Sequence, residues 1–243
     1  MTFVRTDEQR MLADTLATVL SDEMVAWQAV VPANGLDLLG VPEEEGGLGP
    51  DARDAAVVAE ALGRAGIALP WADHWVAYRS GARGAEGPRA TRPANAMKDA
   101  GDPAWAEDAL TTLHCAEIVG LCDTMLRDTA LFLQQRRQFG TAIAQFQVLR
   151  HRMADMAMIL EQARAATDLA IDALESTPER ARTVSAARVL CDDAARIVGE
   201  GAVQSHGAMG LTAELRLGRF FRRARTLMQG DGGARTHLRR YAG

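Results

Sequence analysis

Lysine is almost missing from this sequence. Lys98 stands alone, and the other 26 basic residues are arginine. Any phosphate contact here falls to a planar guanidinium fork rather than a flexible ammonium. Cysteine is scarce too: Cys115, Cys122 and Cys191 are odd in number and lie in helical patterns. They read as small core residues, not as a disulfide framework or a metal centre. The five histidines show no HExxH-like pairing, so no metal site is expected. No run approaches the roughly 18 uncharged apolar residues that a membrane span needs. The first ten residues carry charge where a signal peptide would place its apolar stretch, so no membrane partner and a cytoplasmic location are expected. A net charge of −5 argues against nucleic acid as the main partner.

What is present favours helices. Apolar residues make up 48% and charged residues 24%, a globular balance, and the 243 residues suffice for one large or two small cores. Ala, Leu, Arg and Glu, all good helix formers, dominate. Three parts are distinguished. Residues 1–78 read as an N-terminal helical region: Thr6-Asp7-Glu8-Gln9 offers a cap, followed by Met11, Leu12, Leu16, Val19 and Leu20 at helical spacing. Pro42 and the glycines at 46, 47 and 49 break the pattern, and a second helix is predicted from about Asp51 to Gly66. Residues 79–104 hold Gly81, Gly84, Gly87, Pro88, Pro93, Gly101 and Pro103 with no alternating apolar pattern, which marks a linker and not a sheet. Residues 105–243 carry long 3.6-period stripes. They predict helices from about Glu107 to Arg137, around Leu149–Leu160, from a Thr177 cap with Pro178 at the first helical position to Gly199 or Gly201, and from about Glu214 to Met228. Four such helices with short connections form a bundle. The fold expected is all-α: an N-terminal helical region plus a C-terminal four-helix bundle, without a complete β-barrel.

Four motifs then fall in order. Arg136-Arg137-Gln138-Phe139-Gly140 is followed by Ile143 and Phe146-Gln147. Gln204-Ser205-His206-Gly207-Ala208-Met209-Gly210 is a glycine loop after a helix, and Gly218-Arg219-Phe220-Phe221-Arg222-Arg223 follows it. Near the start stands Pro42-Glu43-Glu44-Glu45-Gly46-Gly47-Leu48-Gly49. Together they resemble the acyl-CoA dehydrogenase family over most of the chain outside 79–104. No single motif is strong; their order is the signal. The resemblance implies FAD, held at one end by Arg136, Phe139, Ile143, Phe146 and Gln147 of one subunit. At the other end Gln204, Gly207 and Ala208 of a neighbour would hold it. An arginine at a helix end beside a glycine corner suits a pyrophosphate. Taken singly, Arg136 reads as a solvated helix-end charge, Phe139 as packing, and Gln204 and Gly207 as a tight turn. The resemblance further implies an acyl-CoA or other acyl thioester as substrate, a homo- or hetero-oligomer with a related chain, and an electron-transferring flavoprotein as acceptor.

Departures from the family pattern matter as much. Asp231-Gly232-Gly233 stands where many members have Glu-Gly-Thr, whose Glu removes the proton α to the thioester while hydride leaves the β carbon. Asp231 keeps the charge but is one methylene shorter, and a misplacement of about 1 Å can cost about 100-fold. On its own residues Gln-Gly-Asp-Gly-Gly reads equally well as a turn. The alternative base position falls on Leu110, which cannot serve, with Glu107 one helical turn away. Ala208 replaces a glycine, and residues 79–104 are too few to build the family's middle β-barrel. Two functions are therefore expected. One is an FAD-dependent dehydrogenase forming the 2,3-enoyl thioester with Asp231 as base. The other is a non-catalytic or half-site subunit paired with a full-length acyl-CoA dehydrogenase.

Overall fold

The structure, a computed structural model, describes residues 5–21, 26–49, 51–79, 102–175, 178–207 and 216–243. Helix α1 (Asp7–Val19) begins at the expected capping box: Thr6 Oγ1 accepts from Gln9 N–H and Gln9 Oε1 from Thr6 N–H, both at 3.2 Å. The single turn α2 (Trp27–Val30) and three short 3₁₀ turns lead to α3 (Ala52–Ala65). Asp51 caps α3, and Gly66 ends it in the left-handed region at φ 65. After α4 (Trp71–Arg79) come the long helices α5 (Pro103–Gln135), α6 (Gln147–Ala173) and α7 (Arg180–His206), then α8 (Leu217–Gln229) and α9 (Gly233–Ala242). The only strands among the described residues are β1 (Arg137–Gln138) and β2 (Thr141–Ala142). The all-α expectation without a complete barrel is met.

The 33 residues of α5 extend about 50 Å at ~1.5 Å per residue. By length and apolar content α5 could cross a membrane, yet 83% of its most apolar window is buried inside the protein. One side packs on α3 through two glycines. A Cβ on Gly63 would run into the Glu117 carbonyl, and one on Gly120 into that of Glu60, so the two backbones approach at both crossings. The rest of α5 packs against α6, α7 and α8 around Cys115, Ile118, Leu121, Cys122, Met125, Met156, Leu160, Cys191 and Phe220. A second apolar cluster joins α1, α3 and α4 to the start of α5, with Trp71 and Trp75 at its centre. All three cysteines are free and buried, as expected of core residues.

Several boundaries are corrected. Arg79 still belongs to α4, and Pro103 and Ala104 open α5, so both edges of the predicted linker are helical; residues 80–101 lie outside the described residues. Pro178 is not the first residue of α7. That helix starts at Arg180, with Glu179 in the cap position and no side-chain cap, and Thr177 lies outside the described residues. Its first turn is anchored instead by Arg180, whose Nε donates to the fully buried Asp108 at 2.9 Å. The predicted start of the last bundle helix, Glu214, also lies outside, and α8 begins at Leu217. Helix α9 was not predicted at all. It packs along α7 with His237 buried beneath it.

Candidate functional site

A cavity of about 400 Å³ lies between the α3–α4 connection, α5, α8 and the turn from α8 to α9. Leu69, Pro70, Leu110 and Leu227 supply apolar wall, while His114, Glu117, Arg223 and Asp231 bring charge and hydrogen-bonding capacity. Glu117 and Arg223 close one side as a forked pair at 2.6 and 2.9 Å. Burial lowers and the Glu117 carboxylate raises the Arg223 proton affinity, with a net upward shift.

The opposite side is built around a guanidinium that the sequence reading passed over. Arg188 of α7 is fully buried. Its Nε donates to Asp192 at 2.9 Å, its Nη1 to Asp231 Oδ2 at 2.7 Å, and its Nη2 to the carbonyls of Leu227 at 2.6 Å and Gly230 at 3.2 Å. One side chain therefore fixes the whole α8–α9 turn. Asp231 sits there at φ 52, a left-handed conformation that aspartate tolerates better than most residues. Its backbone carbonyl accepts from His237 Nε2 at 2.9 Å. Burial raises the Asp192 carboxyl to about 6 against the opposing pull of Arg188. Burial likewise lowers the His237 pKa and keeps that ring neutral.

Asp231 Oδ2 also meets His114 Nδ1 at 2.7 Å. The Asp231 side chain is 5% exposed and the His114 side chain 16%, so the ring is the more open of the two. Leu110 lines the same cavity. Glu107, the backup carboxylate, is exposed on α5 and is not part of the cavity wall.

The other predicted residues gather at the far end of the bundle. Arg136 ends α5 in an extended conformation, and Arg137 and Gln138 pair antiparallel with Ala142 and Thr141. The two residues between them, Phe139 (φ 51) and Gly140 (φ 79), make the left-handed two-residue turn that suits a short hairpin. That turn throws Phe139 outward to 92% exposure, edge-on to Phe146 with ring centres 6.3 Å apart. Gln147 opens α6 and is exposed, whereas Ile143 is buried beneath the corner and packs rather than presents. At the end of α7, Gln204 and Gly207 are exposed, and the intervening His206 stacks on Phe132 of α5 with ring centres 4.2 Å apart. Both motifs thus share one end of the bundle. Ala208 lies outside the described residues.

This end fits a pyrophosphate-bearing cofactor. The Arg136 guanidinium meets no carboxylate among the described residues. A Cβ at Gly140 or Gly207 would meet nothing within 4 Å, which leaves the backbone open to a ligand. Along α5, Leu110 and Glu117 stand roughly 30–40 Å from Arg136 at ~1.5 Å per residue, a distance that one dinucleotide does not span. The cavity and the corner therefore lie at well-separated places along α5.

Long packed helices, a hairpin corner and a charged turn over a cavity define a helical-bundle domain. The acyl-CoA dehydrogenase C-terminal domain family matches residues 111–242, and the chain belongs to the acyl-CoA dehydrogenase family. Acyl-CoA dehydrogenase IpdE2 of Mycolicibacterium smegmatis is 34% identical over 140 residues, 58% of this chain and 43% of that protein. Its Mycobacterium tuberculosis namesake is 27% identical over 295 aligned residues, covering 90% of this chain and 91% of that protein. That aligned span exceeds the 243 residues of the chain, so the relative carries sequence that this chain lacks. Among solved structures, the ChsE4–ChsE5 complex of Mycobacterium tuberculosis has a chain of the same fold, with TM-score 0.81 and 18% identity, covering 100% of this chain and 98% of that one. The M. smegmatis match spans less than half of that relative.

Proposed function

We propose that this chain works within an oligomeric flavin-dependent acyl-CoA dehydrogenase that converts an acyl thioester to its 2,3-enoyl form. The observation that carries this reading is the charged turn at Asp231, aimed at a cavity with apolar walls and anchored by the buried Arg188. Leu69, Pro70, Leu110 and Leu227 exclude water from an acyl chain, and the Glu117–Arg223 pair supplies polar anchorage without net charge. Arg136, Phe139, Phe146 and Gln147, with Ile143 packed beneath, and Gln204, Gly207 and Ala208 would hold FAD shared with other subunits. FAD, when bound, supplies the hydride acceptor, and an electron-transferring flavoprotein would take the electrons onward. The Asp231 carboxylate provides the negative charge that α-proton removal requires near the thioester.

A half-site subunit paired with a full-length relative is the second reading. It is favoured by the 92% exposure of Phe139, an aromatic left open among the described residues, and by the two unlike chains of the ChsE4–ChsE5 complex. The test is a visible absorption spectrum of the protein purified alone and with related chains, for wild type and Arg136→Ala. A yellow complex bleached by acyl-CoA, with flavin lost in the variant, is expected. Unchanged flavin affinity in Arg136→Ala would show that the cofactor lies elsewhere.

A further inference from the structure

We propose that the proton acceptor of this cavity is Nε2 of His114, and that Asp231 is a positioning residue that orients the ring. This deepens, and rests on, the dehydrogenase reading above. Asp231 Oδ2 faces two donors at 2.7 Å, the Arg188 guanidinium and His114 Nδ1. Two of the acceptor directions on that carboxylate are already taken, and its charge faces the Arg188 guanidinium. It is also nearly closed off, at 5% exposure. An ionised carboxylate only accepts, so the 2.7 Å contact places the neutral ring's proton on Nδ1. That leaves the Nε2 lone pair bare, and among the described residues Nε2 has no partner, although His114 lines the cavity. This is the aspartate–histidine logic of acid–base dyads: the carboxylate sets the tautomer and then stabilises the imidazolium.

Arg188 makes the arrangement rigid. Because it also grips the Leu227 and Gly230 carbonyls, Asp231 cannot swing away from the ring without breaking the turn. The step balances. The Cα–H bond of the thioester breaks and an N–H bond forms at Nε2; FAD, when bound in the assembly, would supply the acceptor for the β hydrogen and its electron pair and would be reduced by them. The products are the 2,3-enoyl thioester and a His114 imidazolium paired with Asp231, which returns its proton to water once product leaves. The other charges at this cavity are Glu117 and Arg223, paired with each other, and Asp73. Behind Asp231, Arg188 is paired with Asp192, and His237 is held neutral.

Two measurements test this, the first on the chain alone. In ¹⁵N spectra of histidine-labelled protein, with His114 assigned by its loss in His114→Asn, the expected wild-type form carries its proton on Nδ1. Asp231→Asn should turn it into a mixture of tautomers. A wild-type ring protonated on Nε2 overturns the proposal. The second is flavin reduction in the FAD-loaded assembly, with a panel of short-, medium- and long-chain acyl-CoAs. Asparagine at position 114 keeps a donor near the Nδ1 position but has nothing in place of Nε2. His114→Asn should therefore keep flavin and acyl-CoA affinity while reduction slows by about 10²–10⁴-fold, the usual range for a lost general base. Asp231→Asn should slow it by at least about 10²-fold through the wrong tautomer, and Asp231→Glu should not rescue His114→Asn. Reduction by His114→Asn at the wild-type rate, with Asp231→Asn inert, would return the base to Asp231 and refute the assignment. If the wild-type assembly reduces its flavin with no acyl-CoA, the dehydrogenase reading fails instead, and the tautomer measurement still decides the dyad.

Discussion

Replacing Arg188 by methionine should destabilise the protein more than any surface change. The guanidinium is fully buried and makes four hydrogen bonds, two to the carboxylates of Asp192 and Asp231 and two to the carbonyls of Leu227 and Gly230. Methionine fills much of the volume and satisfies none of these acceptors. Each stranded buried acceptor costs about 1–3 kcal/mol, but the sum overshoots. Asp192, already raised to about 6 by burial, relieves part of its cost by taking a proton. Breaking a buried pair from one side costs about 3–5 kcal/mol in comparable cases, and we expect that range. For a chain of this size it lowers Tm by roughly 6–20 °C. The assay is thermal unfolding followed by circular dichroism at neutral pH and fixed protein concentration, with hydrogen exchange at α9 to show that the α8–α9 turn loosens first. The double variant Arg188→Met/Asp192→Leu removes one stranded charge and should recover at least about 1 kcal/mol, the coupling expected of contacting residues. A single variant that melts within a degree or two of wild type would refute the reasoning, because the turn would then be held by something other than Arg188.

Gly120→Ala should cost about 1–3 kcal/mol, the range for overpacking, because its Cβ would strike the Glu60 carbonyl at the α3–α5 crossing; urea unfolding measures it, and a neutral result would mean the helices can separate there freely. For pH, His237 is buried and neutral, with its proton affinity lowered chiefly by desolvation, and His74 is lowered for the same reason. The unfolded chain binds protons on these rings first, so their contribution is complete above about pH 6.5 and is lost as pH falls below it. Asp192, raised to about 6, acts with opposite sign as pH falls through that value. Wild type should therefore lose more Tm between about pH 7.5 and 5.5 than His237→Gln, which keeps a donor for the Asp231 carbonyl; parallel curves would exclude His237 as a source of the dependence.

What the sequence reveals is what local chemistry writes. The Thr6 box, the Gly66 stop and the long stripes from about residue 105 depend on residues within a few positions of one another, and the structure places them close to expectation. The Arg136–Gln147 corner is legible only through the order of motifs shared with the family; the left-handed turn at Phe139-Gly140 emerges in the structure. The α9 helix is hidden because Gly232 caps it and Gly233 opens it, and glycines there signal a turn rather than a start. Its stability comes from packing on α7, which no local pattern announces.

His114 and Asp231 lie 117 residues apart, and Arg188 reaches Asp231 across 43, so no spacing rule connects them. A signal for Arg188 was nonetheless present. It falls on the buried stripe that runs through Val184, Cys191 and Ala195, where an arginine is out of place unless it is paired. Asp192, one helical turn on, is half of that pairing, and the second carboxylate had to come from elsewhere in the fold. A buried arginine on an apolar stripe is a demand for carboxylates. Asp231 answers it, and that same commitment is what turns Asp231 from a free base into the group that aims His114.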